Sequence, residues 1–365
     1  MISQKSKEEI YKCSKCGLCQ SVCPLFLATK NELFSPRGRF IVLNNHINNG
    51  VKLSKNFIKN LDFCLNCNLC RAFCPSAIDT KAIITELKTM YSKKSFGFVL
   101  HIKFFYLICA ILKYIYKFFP LKSIFIGTFI DELFDVKVKP VKVSKSLLKK
   151  GKVVYFEGCY NKYINSSDKN AVLNILTDMG FEVKTLSSCC GYPLLSDADI
   201  NGFKKNIQNM IQSIPDNCNY IICSCDSCFE TLKQAKQFVG DVDFDSKLIT
   251  LDEFLIKNEY QNPIDYSTLY FKPLQRENKC DIFKEEQTFN KKGLCSLMEN
   301  FFWFRFPQFS KKLAKQFNLS LIKNDDIPII TTCNISKIGL MKILKLKNKK
   351  NRIYSLSEYL QNKKA

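Results

Sequence analysis

Histidine is scarce in this sequence: 365 residues include only two, His46 and His101. Histidine supplies ligands to many zinc centres and the general base of Ser–His–Asp triads. A histidine-based zinc site or a hydrolase triad is therefore hard to build. The first ten residues, MISQKSKEEI, also lack an apolar run, so a secretory signal peptide is not expected.

Acidic residues are few as well, since 33 Asp and Glu stand against 55 Lys and Arg and leave a net charge of +22. Residues 91–152 alone hold 13 lysines and three acidic residues. Such an excess favours an anionic membrane surface, an acidic protein partner or nucleic acid. A general preference for lysine on a soluble surface explains the charge equally well.

Cysteine, by contrast, is abundant. Nineteen cysteines without a predicted signal peptide indicate metal or redox chemistry rather than a disulfide scaffold. The number is odd, so the cysteines cannot all be paired. They are the residues expected to carry the chemistry.

Two cysteine runs share one pattern. Residues 13–24 read CSKCGLCQSVCP and residues 64–75 read CLNCNLCRAFCP, the C-x2-C-x2-C-x3-C-P spacing that ligates [4Fe–4S] clusters in ferredoxins. In two-cluster ferredoxins the fourth cysteine ligates the other cluster. A zinc site needs only four ligands and leaves the C-P ending unexplained. The runs therefore predict two crossed ligand sets: Cys13, Cys16, Cys19 with Cys74, and Cys64, Cys67, Cys70 with Cys23.

The region around these runs, residues 1–95, is predicted to be mostly helical. The stretches RGRFIVLNNHI and SKNFIKNLDFC carry apolar residues at helical spacing. The motif SPRGR at 35–39 allows two interpretations. Arg37 and Arg39 either donate hydrogen bonds near a cluster and raise its potential, or they cap and salt-bridge the start of a helix.

Residues 96–150 are predicted to form a basic, amphipathic helical connector. Four lysines interrupt its apolar run and Pro120 is expected to end its helix, so a membrane span is not predicted. Three of these lysines fall on one side of the helix. That pattern suits a helix lying in a membrane interface or on a partner, and it equally suits a helix buried between domains.

From Val153 onward strands and helices alternate, and five cysteines follow predicted strands: Cys159, Cys189, Cys190, Cys225 and Cys228. In open α/β sheets the carboxyl ends of the strands form the crevice that binds ligands. The five thiols are expected to converge there and hold a third iron–sulfur cluster. The alternative is that Cys189 and Cys190 are buried free thiols, and Cys223 is expected in the core.

Residues 263–365 repeat the pattern of residues 151–262, with IITTCNIS echoing IICSCDSC and LCSL echoing SCCG. Serine hydroxyls are poor ligands for iron–sulfur clusters. The second copy should therefore keep the fold and lose its cluster, unless Cys280 substitutes. FFWFRF at 301–306 is expected either to fill the emptied pocket or to cover the domain interface. Through the repeat the five thiols become Leu274, Cys295, Ser296, Cys333 and Ser336.

Two ferredoxin runs followed by two domains with a C…CCG…CxxC arrangement resemble the iron–sulfur subunit of glycolate oxidase, over essentially the whole chain. Related are the iron–sulfur subunits of lactate-oxidising complexes and of heterodisulfide reductases. The resemblance implies an α+β multidomain fold, in which a helical two-cluster ferredoxin domain precedes two tandem α/β cysteine-rich domains of the CCG type.

The same resemblance implies a subunit that passes electrons from an FAD-containing hydroxy-acid dehydrogenase towards membrane quinone. Flavin and substrate are then expected on the partner. The chain is expected in the cytoplasm, on the inner face of the cell membrane.

Two other functions compete with electron transfer. One is a thiol–disulfide reductase of the heterodisulfide type, with its chemistry at the five-thiol site. The other is a nucleic-acid-binding or sensor protein that uses its clusters structurally. Adjacent clusters with crossed ligation suit electron relay better, so no nucleic-acid partner is expected.

Overall fold

The computed structural model describes residues 2–91, 150–215, 217–240, 244–261, 264–265, 267–273, 282–289, 302–317 and 319–364. The predicted connector lies outside this set apart from residue 150. Four residues named above for the second copy also lie outside the described ranges: Leu274, Cys280, Cys295 and Ser296. Within the described ranges no helix is long and apolar enough to cross a membrane.

Residues 2–91 fold into helices joined by the turns that carry the cysteine runs, as the periodicity predicts. The helices are Gln4–Tyr11 (α1), Leu18–Val22 (α2), Pro24–Thr29 (α3), Pro36–Asn49 (α4), Lys55–Leu61 (α5), Leu69–Ala72 (α6) and Thr80–Tyr91 (α7).

The motif SPRGR forms the start of α4. Ser35 caps the helix, because its Oγ accepts a hydrogen bond from the Gly38 N–H at 3.1 Å. Pro36 occupies the first helical position, where no N–H is needed. A Cβ at Gly38 would lie 2.2 Å from the Glu32 carbonyl oxygen. Only glycine lets this helix start pack against the preceding turn.

Two parallel four-stranded sheets lie within the described part of the C-terminal region, and their strand orders correspond: β2-β1-β3-β4 and β6-β5-β7-β8. Strand β1 is an almost continuous buried apolar run, as expected for a parallel strand covered on both faces. The mixture of helical region and sheets confirms the predicted α+β fold class. The strands are Gly151–Phe156 (β1), Phe181–Leu186 (β2), Tyr220–Cys223 (β3), Leu248–Thr250 (β4), Leu269–Phe271 (β5), Thr288–Phe289 (β6), Ile329–Thr331 (β7) and Ile353–Ser355 (β8).

The internal repeat extends to the helix starts. Glu253 and Thr250 form a capping box at one helix of the first copy. Ser355 and Glu358 make the same reciprocal bonds in the second copy, at 2.9 and 3.3 Å. The helices are Gly158–Tyr163 (α8), Ser166–Asp178 (α9), Tyr192–Ser196 (α10), Ile200–Ile211 (α11), Asp226–Lys233 (α12), Lys236–Val239 (α13), Leu251–Lys257 (α14), Phe302–Arg305 (α15), Pro307–Lys315 (α16), Asn334–Leu346 (α17) and Leu356–Lys364 (α18).

Buried polar groups join the two copies. Asp168 is fully buried and accepts hydrogen bonds from the hydroxyls of Ser355 and Ser357 in the second copy. Glu358 is equally buried and forms an ion pair with Lys337. The sequence pattern predicts Ser167 or Asp168 as the cap of α9, and this prediction is wrong, since the helix starts at Ser166. Asp168 is instead an interface residue.

The helical region packs directly on the C-terminal region. Phe63 stacks on Phe306, with ring centroids 4.1 Å apart. Arg305 lies 3.5 Å from Asp62 and 3.8 Å from Asp197, so it links both regions electrostatically. Of the two roles expected for FFWFRF, Phe306 therefore has the interface role.

Candidate metal centres

The two cysteine runs adopt one backbone conformation. Lys15 and Gly17 have positive φ angles of 60° and 86°, and Asn66 and Asn68 at the matching positions have 53° and 54°. Alternation with left-handed residues turns successive N–H groups towards one side, a geometry that binds anions and iron–sulfur clusters. The repeated spacing thus produces a repeated local structure.

Each predicted crossed set of cysteines meets at one cavity. The inner cavity is lined by Cys23, Cys64, Cys67 and Cys70, together with Arg39 and Thr80 among others. The outer cavity is lined by Cys13, Cys16, Cys19 and Cys74, together with Cys70 and Arg37 among others. The structure brings together the members of each set, and their ligation of iron stays a prediction.

The surroundings of the inner cavity suit an anionic group. Arg39 and Lys88 are 1% and 2% exposed, and Arg39 Nε and Lys88 Nζ have no hydrogen-bond partner within the described part of the chain. Burial lowers the pKa of Lys88 to about 8, while the neighbouring Cys64 and Asp62 raise it. Isolated buried cations are costly unless a counter-charge is near. Four thiolates around a cluster would supply that charge.

The thiols themselves need metal to ionise. Burial raises the pKa of Cys70 to about 12 and that of Cys19 to about 11. Iron binding would displace these protons, because the metal ligand is the thiolate. Among the described residues no three His, Cys, Asp or Glu side chains are grouped as ligands of one metal ion.

The roles of Arg37 and Arg39 differ. Arg37 forms a salt bridge to Glu32 at 3.0 Å, and its side chain is about a third exposed. Arg39 is buried at the inner cavity and donates from Nη2 to the Asn60 carbonyl at 3.1 Å. Both arginines therefore lie beside a candidate cluster site, and the salt-bridge interpretation fits Arg37 in addition.

The five cysteines of the first CCG copy converge at the carboxyl edge of the first sheet. Each thiol contacts the next one in space, and we call this series the thiol row: Cys159, Cys189, Cys190, Cys228 and Cys225. Cys189 and Cys190 follow β2, Cys225 and Cys228 follow β3, and Cys159 follows β1. Parallel strands place such residues at one edge, as predicted.

Hydrogen bonds between the thiols give the members of the thiol row different pKa values. Cys189 and Cys228 donate to Cys190 and lower its pKa to about 6. Contacts with the thiols of Cys228 and Cys333 hold the pKa of Cys225 well below its ordinary value. These interactions favour the thiolate form, which binds iron, at Cys190 and Cys225 and disfavour it at Cys189 and Cys228.

Glycines allow the thiols to approach. Gly191 has a φ of +86°, and a Cβ there would lie 2.5 Å from Phe203. Gly158 has a φ of +69°, and its Cβ would lie 3.3 Å from Cys228 Sγ. The glycines of the CCG and FEGC motifs are thus required by backbone conformation and by close packing.

Two residues at these sites were missed from sequence. Cys333 of the second copy lies 4.0 Å from Cys225, sulfur to sulfur. The sequence indicated its importance only by keeping a cysteine at this position of the repeat. Lys88 stands in an amphipathic helical stretch, where a lysine indicates a solvated face. Ser336 is buried, while Leu274, Cys295 and Ser296 of the second site lie outside the described ranges. The predicted emptiness of that site stays a prediction.

Comparisons with known proteins point the same way. Residues 9–78 match the 4Fe-4S dicluster domain and residues 153–233 match the cysteine-rich domain family CCG. A subunit of the dihydromethanophenazine:CoB–CoM heterodisulfide reductase of Methanosarcina acetivorans is 21% identical over 310 residues, covering 76% of this chain and 71% of that protein. The glycolate oxidase iron-sulfur subunit of Escherichia coli is 36% identical over 66 residues, covering 18% of this chain and 16% of that protein. No solved structure matches.

The domain matches explain the two kinds of cysteine site described above, since residues 9–78 include both ferredoxin runs and residues 153–233 include the whole thiol row. The two relatives are both redox subunits by name. These matches bear out the resemblance predicted from the sequence: the chain has a 4Fe-4S dicluster domain and a CCG cysteine-rich domain, and it is similar to redox subunits of oxidoreductases.

Proposed function

We propose that the chain is the electron-transfer subunit of a membrane-associated 2-hydroxy-acid oxidoreductase, relaying electrons from an FAD-containing partner towards quinone. Bound clusters would supply reversible one-electron transfer. The crossed cysteine sets of the inner and outer cavities would each hold a [4Fe–4S] cluster. The thiol row would hold a third iron–sulfur cluster.

The order of the three sites in space carries this proposal. Cys70 lines both the inner and the outer cavity, so these two sites are adjacent. Cys23 and Cys67 pack against the hydrophobic cluster that contains Tyr160, the neighbour of Cys159 in the thiol row. Cys16 of the outer cavity is exposed and open to a partner. The outer and inner sites are thus neighbours, and one hydrophobic cluster connects the inner site with the helix that carries Cys159, which supports a relay in this order.

The nature of the partner rests on charge and on similarity. A net charge of +22 favours an acidic flavoprotein and anionic lipid headgroups over neutral surfaces. The similarity to a glycolate oxidase iron-sulfur subunit supports a 2-hydroxy acid as the electron source of the complex.

Anaerobic purification with iron and sulfide analysis tests the relay. We expect about 12 iron atoms per chain and several one-electron signals in electron paramagnetic resonance (EPR) spectra. In the native complex, glycolate or lactate should reduce these centres. A colourless protein that holds zinc would contradict the proposal.

A thiol–disulfide reductase of the heterodisulfide type is the second candidate. The similarity to a heterodisulfide reductase subunit over 76% of the chain favours it, together with the row of buried thiols. Each disulfide would take two electrons and two protons and give two thiols, with the electrons arriving singly. The isolated, reduced chain should then convert a small mixed disulfide to its thiols, and Cys190→Ser should abolish this turnover.

A further inference from the structure

We propose that Cys333 extends the thiol row, so that the second copy supplies a sixth thiolate to the metal centre of the first copy. This inference rests on the proposed third cluster. It goes beyond the five ligands expected from the CCG motif, and it gives the second copy a part in the site.

The sulfur positions are the first observation. Cys333 Sγ lies 4.0 Å from Cys225 Sγ, at the end of the thiol row, and 2.9 Å from the Ser227 hydroxyl. Cys333 is 3% exposed and belongs to the same buried cluster as Cys190, Cys225 and Cys228. Six sulfur atoms thus form one continuous series across two copies of the fold.

The repeat symmetry explains why Cys333 points there. Cys225 and Cys333 are the residues that precede α12 and α17, with nearly equal φ angles of −130° and −135°. The two copies place these helix starts face to face. Each of these two cysteines therefore faces the other copy, with its sulfur near that of its counterpart.

Hydrogen bonds across the copies hold this arrangement. The Asp226 N–H donates to the Thr332 carbonyl at 2.9 Å, and the Thr332 hydroxyl donates to the Asp226 carboxylate at 2.6 Å. The Asn334 amide donates to Asn161 Oδ1 at 3.0 Å. Thr332 and Asn334, the neighbours of Cys333, are thus bonded to the first copy. These bonds keep the Cys333 sulfur close to Cys225.

The chemistry follows from the donor type. A thiolate is the ligand that iron–sulfur centres prefer, and ligation releases the Cys333 proton to solvent. Cys333 would reach an iron held by Cys225, because the two sulfur atoms are 4.0 Å apart. The repeat changes the counterpart of Cys228 to Ser336 and keeps the counterpart of Cys225, which is the thiol able to serve the first copy.

Iron content and spectroscopy of the anaerobically purified full chain test this proposal, with Cys223→Ala as the matched control. Cys223 is another buried cysteine, 1% exposed, that lies on β3 rather than at the strand end. In Cys333→Ala we expect iron to fall from about 12 to about eight atoms per chain. The EPR signal of the third centre should disappear, while the ferredoxin-type signals remain. Cys223→Ala should match the wild type.

Cys333→Ser keeps the size and polarity of the side chain, so it guards against misfolding of the alanine variant. We expect a changed Mössbauer spectrum at one iron of the third centre, because oxygen replaces sulfur. A wild-type spectrum in Cys333→Ser would overturn the proposal. A wild-type chain with only about eight irons would overturn the third cluster itself, and this inference with it.

Discussion

The inner and outer cavities arise from one sequence pattern and differ in their surroundings. The outer cavity reaches solvent at Cys16, and its Arg37 is paired with Glu32. The inner cavity has no exposed cysteine, and the cations next to it, Arg39 and Lys88, are buried. The same four-cysteine arrangement therefore sits in two different electrostatic environments.

This difference suggests a direction for electron flow. The reduction potential of an iron–sulfur cluster depends on charge, hydrogen bonding and exposure around it. Buried cations stabilise the additional negative charge of the reduced state more than exposed, paired cations do. We expect the inner cluster to have the higher potential, so that electrons move inward from the exposed site towards the thiol row.

The largest contrast is expected from removing one ligand at each cavity. Cys67→Ser should remove the inner cluster and most of the negative charge beside Arg39 and Lys88, leaving Asp62 as the carboxylate near Lys88, at a cost of about 3–5 kcal/mol of stability. Cys16→Ser should remove only the outer cluster and change stability little. Iron analysis and thermal unfolding measure both effects. Equal losses of stability in the two variants would contradict the difference in electrostatic surroundings between the two cavities.

Replacing one cation at each cavity should shift the potentials unequally. Lys88→Met should lower the potential of the inner cluster by about 50 mV, since a buried unit charge is lost. Arg37→Met should shift the outer cluster by less, because Arg37 is partly exposed and paired. Redox titration followed by EPR separates the two. A larger shift in Arg37→Met would contradict this assignment.

The iron-free chain should show the same contrast in thiol reactivity. A hydrogen bond from the Leu18 N–H lowers the pKa of Cys16, whereas burial raises the pKa of Cys67 well above its ordinary value. Cys16 therefore becomes a thiolate at lower pH. We expect iodoacetamide to modify Cys16 at least about tenfold faster than Cys67. Peptide mass spectrometry over a pH series would measure the modification rates of the two thiols. Equal rates would contradict the difference in burial between Cys16 and Cys67.

The smallest effect concerns the shared backbone of the two runs. Gly17→Ala should cost about 1 kcal/mol, because an L side chain must hold a φ of 86°. Gly17→Asn should cost less, since Asn68 occupies the matching position of the second run in the same region. Denaturant unfolding of the reconstituted chain measures both. A penalty for asparagine equal to that for alanine would show that the two turns are not equivalent.

Local patterns made much of this structure predictable. The cysteine spacing indicated both crossed sets, because a C-x2-C-x2-C loop closes within one short turn and proline redirects the fourth cysteine. The alternation of strands and helices indicated the thiol row, since every parallel strand ends at the same edge. The repeat indicated the second sheet, which has the same strand order.

Contacts between distant segments were not predictable in the same way. Cys333 is 108 residues from Cys225, and the repeat assigned it to a site within its own copy. Asp168 follows serines ahead of an apolar run, a typical cap pattern, while the partners of its Oδ1, Ser355 and Ser357, lie in the second copy. Lys88 lies on α7, which bonds to the C-terminal region through Thr89. A single sequence carries no local signal for such docking.

The hydrogen bonds of Asp168 have a consequence for synthesis on the ribosome. Its partners, Ser355 and Ser357, follow it by 187 and 189 residues. At about 5–20 residues per second, roughly 10–40 s separate the emergence of this carboxylate from that of the hydroxyls that satisfy it. During this interval Asp168 Oδ1 lacks these two donors and stays hydrated, whereas the donors to Oδ2, Asn161 and Ser224, belong to the first copy. Cluster insertion at the thiol row should therefore come late in biogenesis, after translation of the second copy.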